Sequence, residues 1–72
     1  MSPRFPSVKA RQLLAALVRI GWTVKRHDGT SHRVLSRPGW HDQVFAFHAG
    51  EEIGAKMVAR MAKRYGLKPE DL

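Results

Sequence analysis

The residues whose types and spacing best suit chemistry are Asp28-Gly29-Thr30-Ser31-His32, with Lys25 and Arg26 before them and Arg33 after. Asp-Gly is a strong hairpin signal, because a type I′ turn needs positive φ and glycine supplies it without steric cost. Trp22-Thr23-Val24-Lys25-Arg26 and Arg33-Val34-Leu35 carry β-branched and aromatic residues that suit extended structure. His32 is therefore expected just past a tight turn, at the start of a strand, with small neighbours and three flanking cations. Such an imidazole is placed to move a proton beside a phosphate. The backbone N–H groups from Gly29 through Thr30 to Ser31 offer an anion-binding nest.

Charge supports a polyanionic partner. Thirteen Lys and Arg against six Asp and Glu give a formal charge of +7, which favours nucleic acid through phosphate contacts and counterion release. The plainer alternatives are solubility or an acidic protein partner. At 72 residues the chain reads as one domain, 1–72, near the lower size for a self-sufficient core, since such chains bury only about 60% of their unfolded surface. The absence of cysteine removes disulfides and thiolate metal sites. The longest apolar run, Leu13 to Val18, is far short of the roughly 20 residues that span a bilayer. Met-Ser-Pro-Arg-Phe-Pro lacks a signal-peptide core, so the expected compartment is the cytoplasm.

Five elements must position these residues. Ser7 reads as the N-cap of a helix over Val8 to Ile20, in which Ala10, Leu13, Leu14, Leu17 and Val18 form the apolar stripe. Gly21 ends it. Trp22 to Arg26, Thr30 or Ser31 to Ser36, and Gln43 to His48 read as three antiparallel strands, with Arg37-Pro38-Gly39-Trp40 as the second turn. Alternation puts His32, Val34 and Ser36 on one face and Arg33, Leu35 and Arg37 on the other. In the third strand Phe45 and Phe47 oppose Val44, Ala46 and His48, and both sets are apolar enough to pack on helices. Glu51 and Glu52 are expected to complement the dipole at the start of a last helix, whose stripe is Met57, Val58, Met61, Ala62 and Tyr65, ended by Gly66 with Pro69 beyond. Helix, three-stranded antiparallel sheet and helix define an α+β class, the element order of double-stranded-RNA-binding domains.

Several pieces in this order resemble one family. Gly21-Trp22, Lys25-Arg26, Gly29-Thr30-Ser31-His32, Glu52-Ile53-Gly54, Gly66-Leu67 and Glu70-Asp71-Leu72 are together similar to the HicA (YcfA-like) toxins of type II HicA–HicB toxin–antitoxin modules, over about Lys9 to Leu72. The chain departs from that pattern at Arg33, where many relatives have a second histidine, and at Ala46-Phe47-His48, where they have a Val-Pro-His type strand. The resemblance implies a double-stranded-RNA-binding-domain-like fold and ribosome-independent cleavage of mRNA. It also implies that the turn histidine, His32 by position, is essential, and that a HicB-type antitoxin covers the His32 face.

Histidine suits general acid–base work at an RNA 2′-OH, because imidazole has an unperturbed pKa of about 6.5. Lys25, Arg26 and Arg33, in that order, are the candidates for stabilising charge on phosphoryl oxygens. On residue types alone, the commoner reading is that His32 merely ends the hairpin, with Ser31 or Thr30 bonding locally to the backbone; the resemblance reverses that preference. No metal or other cofactor is expected. The four histidines have no Asp or Glu beside them at ligand spacing, and Glu51-Glu52 and Glu70-Asp71 read as helix flanks. His48 is the candidate for a second proton carrier. The alternatives to a nuclease are a non-catalytic RNA-binding module and an inactive toxin retained as an antitoxin-binding partner.

Overall fold

The computed structural model describes residues 4–29, 31–48 and 50–72. In chain order the elements are β1 (Val8–Lys9), α1 (Ala10–Arg19), β2 (Thr23–Asp28), β3 (His32–Ser36), β4 (Gln43–Ala46), β5 (Glu52–Ile53) and α2 (Ala55–Tyr65), with a closing 3₁₀ turn at Pro69–Asp71. β2, β3 and β4 form the expected antiparallel sheet in the order β2-β3-β4. The α+β arrangement is double-stranded-RNA-binding-domain-like.

A second, two-stranded sheet pairs Val8 with Ile53 and Lys9 with Glu52, and it resets the start of both helices. The chain stays extended past Ser7, so Ser7 is not the N-cap; its Oγ donates to Glu52 Oε2 at 3.1 Å. Lys9 takes the N-cap position, its N–H donating to Gln12 Oε1 at 3.0 Å, and the Ala10 N–H donates to the Glu51 carbonyl at 2.9 Å. These bonds satisfy donors that the first helical turn leaves without intrahelical partners. Glu51 and Glu52 consequently lie ahead of α2, whose first turn carries no acidic residue. The hairpin also departs from the expected strand end at Arg26 and the type I′ turn at Asp-Gly: β2 runs on to Asp28, which pairs with His32 inside the ladder and has no positive φ, and the positive φ falls on Gly29 alone of the two, at +69°.

The helices and one sheet face share a single core. Leu13 and Leu17 of α1, Val58, Ala62 and Tyr65 of α2, Leu35 of β3 and Phe45 of β4 are buried together with Trp22. Phe45 and Phe47 thus form the packing set of the third strand. The Trp22 indole meets Tyr65 and Trp40 edge-on, with centroids 5.4 and 5.8 Å away, and its N–H donates to the Tyr65 carbonyl at 3.0 Å. Two stripe residues fall outside this core. Val18 is half exposed at the end of α1, and Met57 is half exposed on α2, where it lines a groove of about 450 Å³ along the free edge of β4 with Val44, Ala46, Met61 and Tyr65.

Gly66 ends α2 at φ +72°, and a Cβ there would stand 2.6 Å from the Trp40 ring. Gly39, at φ +84°, has open space around it. Gly66→Ala is expected to cost about 2 kcal/mol, on the order of 10 °C in Tm, and Gly39→Ala about half of that, because only the first adds a clash to the backbone penalty. Thermal unfolding of the two variants side by side checks this; equal losses would remove the Trp40 clash from the account.

Burial raises the Tyr65 phenol above its ordinary 10.0, partly opposed by the charge of Arg64. Its hydroxyl donates to the Val44 carbonyl at 3.4 Å. A raised folded pKa means that the contribution is intact below pH 10 and declines as pH climbs toward the folded value, because the unfolded chain ionises first. Tyrosinate absorbance of this single tyrosine should therefore rise later in the folded chain than in denaturant, and the stability of Tyr65→Phe should fall less steeply above pH 10.

Candidate functional site

The hairpin sends its residues to two different faces. Within β3, Arg33 and Leu35 look toward the core, as do their partners Phe45 and Gln43 on β4, whereas His32 and Val34 stand opposite Ala46 and Val44 on the other, open face. β2 carries a bulge: Val24 pairs with Leu35 and Arg26 with Val34, so that Lys25 is the extra residue. A bulge of this kind bends the strand and re-aims side chains. Lys25 reaches across β3 to Asp42, just ahead of β4, Nζ to Oδ2 at 2.9 Å.

His32 is exposed at the end of that face. Its direct cross-strand neighbours are Asp28 on β2 and Ala46 on β4. Ala46 offers only a methyl, so the approach to the imidazole from the β4 side is open. Arg26 sits two pairs further along, opposite Val34, with its Nε 3.1 Å from Asp28 Oδ1. Val34 is nearly fully buried between Arg26 and Val44, while Val44 is the most exposed large apolar residue of the sheet, at 58%.

The register therefore brings Arg26 and His32 onto one surface, with Gly29 and Ser31 at its hairpin end and Lys25 next to Arg26 in the bulge. Ser31 is held by its carbonyl, which accepts the Phe47 N–H. Thr30 lies outside the described residues. Arg33 is placed elsewhere: its guanidinium stacks 4.9 Å from the centre of the Phe47 ring, on the packing side of the strand. Sequence reasoning did not find Asp28 and Asp42 as the partners of the two site cations. Arg26 and Asp28, two apart on a strand, carry a signal for one such pair, because residues i and i+2 share a face; the Lys25–Asp42 pair depends on the bulge and has none. Both pairs are about half exposed, so each is worth only a fraction of a kcal/mol in high dielectric and yields readily to a competing phosphate.

The chain is thus a small basic α+β domain with an exposed histidine beside cations on its antiparallel sheet. The family comparison is more specific. The model of the HicA toxin of bacterial toxin–antitoxin systems matches residues 10–67, and the chain belongs to that family. Comparisons with curated proteins and with solved structures return no match.

If Asp28 and Asp42 compete with phosphate for the two cations, their removal should strengthen RNA binding. In a His32→Ala background, adding Asp28→Asn and Asp42→Asn is expected to tighten binding to a long single-stranded RNA, used as a polyphosphate probe, about threefold to tenfold at low salt. Filter binding or anisotropy reads this. Unchanged or weaker binding would mean that the carboxylates position the cations and do not shield them.

Proposed function

We propose that this toxin-family chain is an endoribonuclease that cuts mRNA, and so inhibits translation, with His32 as its essential proton carrier and without a metal. The observation that carries the reading is the placement of an exposed His32 on one open face with Arg26, Lys25 standing next to Arg26 in the bulge, in a chain of the HicA toxin family. Removing the proton of a 2′-OH makes it a nucleophile toward the adjacent phosphorus, and this reaction needs only a base, an acid and charge stabilisation. His32 supplies the base. Lys25 and Arg26 leave their carboxylates for the phosphoryl oxygens, and the backbone N–H groups of Gly29 and Ser31 hold a neighbouring phosphate. Arg33, stacked on the other side, adds to the long-range positive potential that draws RNA in. The need for a 2′-OH makes RNA, and not DNA, the substrate.

The same face is the surface a HicB-type antitoxin covers in the cytoplasm, where mRNA is found. Covering it hides His32 and the exposed Val44 together, and binding adds stability to a domain of limited size by mass action.

The test is incubation of the purified chain and of His32→Ala with a long single-stranded RNA, a chelator being present throughout. The native chain should consume the RNA and leave 2′,3′-cyclic phosphate ends, while His32→Ala should be slower by about a thousandfold. Intact RNA in the presence of folded native protein would overturn the nuclease reading and leave RNA binding or antitoxin binding as the chain's role.

A further inference from the structure

Proton removal at the 2′-OH is half of a transfer; the departing 5′-oxygen must gain a proton. Geometry narrows the source of that proton. The β3–β4 ladder pairs His32 with Ala46 and Arg33 with Phe45, and it runs one step past the end of β4, since the Phe47 N–H donates to the Ser31 carbonyl. Residues 31 and 47 thus continue the register. Alternation continued through Phe47 puts His48 on the face of Ala46 and so of His32, two positions beyond Ala46 on the diagonal. Diagonal neighbours across an antiparallel pair lie about 7–8 Å apart, a gap that a single phosphodiester can enter from the side that Ala46 leaves open.

The backbone of His48 is held on both sides. Phe47 is bonded to Ser31, and the His48 carbonyl accepts the Glu51 N–H at 2.8 Å. Its side chain is exposed. The other donors near the site fit the role poorly. Arg26 does not release its proton in proteins, and Asp28 is bound to it. Lys25, paired with Asp42 in the free chain, is taken up in the reading above by the phosphoryl oxygens. His27 pairs with Arg33 across the ladder and so lies on the packing side, and His41 precedes Asp42 at the opposite end of β4 from Ala46. Tyr65 is buried with its hydroxyl on the Val44 carbonyl.

The geometry points to His48 as the general acid that protonates the leaving 5′-oxygen, the second catalytic residue of this site. It rests on the nuclease reading above. In the step, His32 takes the proton of the 2′-OH as the 2′-oxygen bonds to phosphorus. The bond from phosphorus to the 5′-oxygen breaks, and the imidazolium of His48 gives that oxygen its proton. One proton enters the protein at His32 and one leaves from His48. The products are a 2′,3′-cyclic phosphate and a 5′-hydroxyl.

The leaving group provides the test. An RNA oligonucleotide is made with sulfur in place of the bridging 5′-oxygen at a bond that the native chain cuts. A thiolate departs without being protonated, so its loss does not need an acid. His48→Ala is expected to cleave ordinary RNA at least about 100-fold more slowly than the native chain and to cleave the sulfur-bridged RNA at the native rate. His32→Ala should be slow on both. Equal activity of His48→Ala and native protein on ordinary RNA would overturn the proposal. An equal loss on both substrates, with the variant folded by circular dichroism, would also overturn it, because a positioning role makes no distinction between leaving groups. Failure of the native chain on either RNA would instead strike the nuclease reading itself.

Discussion

The hydrogen bond from the Trp22 indole to the Tyr65 carbonyl is the contact on which the rest of the molecule depends. Trp22 follows the turn out of α1, and Tyr65 is the last residue of α2. One bond therefore joins the ends of both helices, and it satisfies a carbonyl that the last turn of α2 cannot bond for itself. Each helix closes on a glycine of positive φ, Gly21 and Gly66, which turns the chain abruptly enough to bring the two ends together. Tyr65 then meets Phe45 edge-on and reaches the backbone of β4 with its hydroxyl. Trp40 closes over Trp22 from the second turn, with Arg37 stacked on it 5.1 Å from its ring centre. In a domain this small, concentrating large aromatic side chains at one junction buries much apolar area with few residues.

That junction lies wholly on one side of the sheet, and the other side is left open. A three-stranded sheet with both helices behind it has no element remaining to cover its second face. Alternation then decides which residues become available: His32, Ala46 and Val44 go out because Arg33, Phe45 and Gln43 go in. A shift of one residue in the β3–β4 register would exchange the two sets and place the histidine among the helices. The core and the site are thus two consequences of one register.

Much of this was legible in the residues. Alternation along 32 to 37 sorted β3 correctly because its two faces differ in chemistry, and Gly21 and Gly66 marked the helix ends through a backbone conformation that few other residues adopt. The third strand could not be sorted, since Val44 and Ala46 are as apolar as Phe45; what chose between them was the aromatic cluster around Tyr65, which is a matter of tertiary packing. The pairing of Val8 with Ile53 was hidden for a different reason. Two residues on each side carry no period, and 45 positions separate them. The bulge at Lys25 was hidden too, because the residues on either side of it are ordinary strand formers, and with it went the position of Lys25 and its pairing with Asp42. Val18 and Met57 read as core by helical spacing, but each sits at the margin of its stripe, where burial depends on what lies opposite.

An exposed histidine on a flat, basic face has a consequence for control. A pocket selects its substrate by excluding others, whereas this surface leaves His32 exposed, and in the nuclease we propose it would draw RNA mainly through phosphate charge, which all RNA shares. The two carboxylates, Asp28 and Asp42, temper the cations when no polyanion is present, but pairs this exposed are too weak to exclude a competing anion. Nothing intrinsic to such a face turns it off. Restraint has to come from a second body large enough to cover it, and an open sheet with Val44 exposed beside the histidine gives that body apolar area to bury alongside the charge. A toxin built this way and an antitoxin that silences it are thus two requirements of one geometry: the openness that admits a long polymer is the openness that a protein must close.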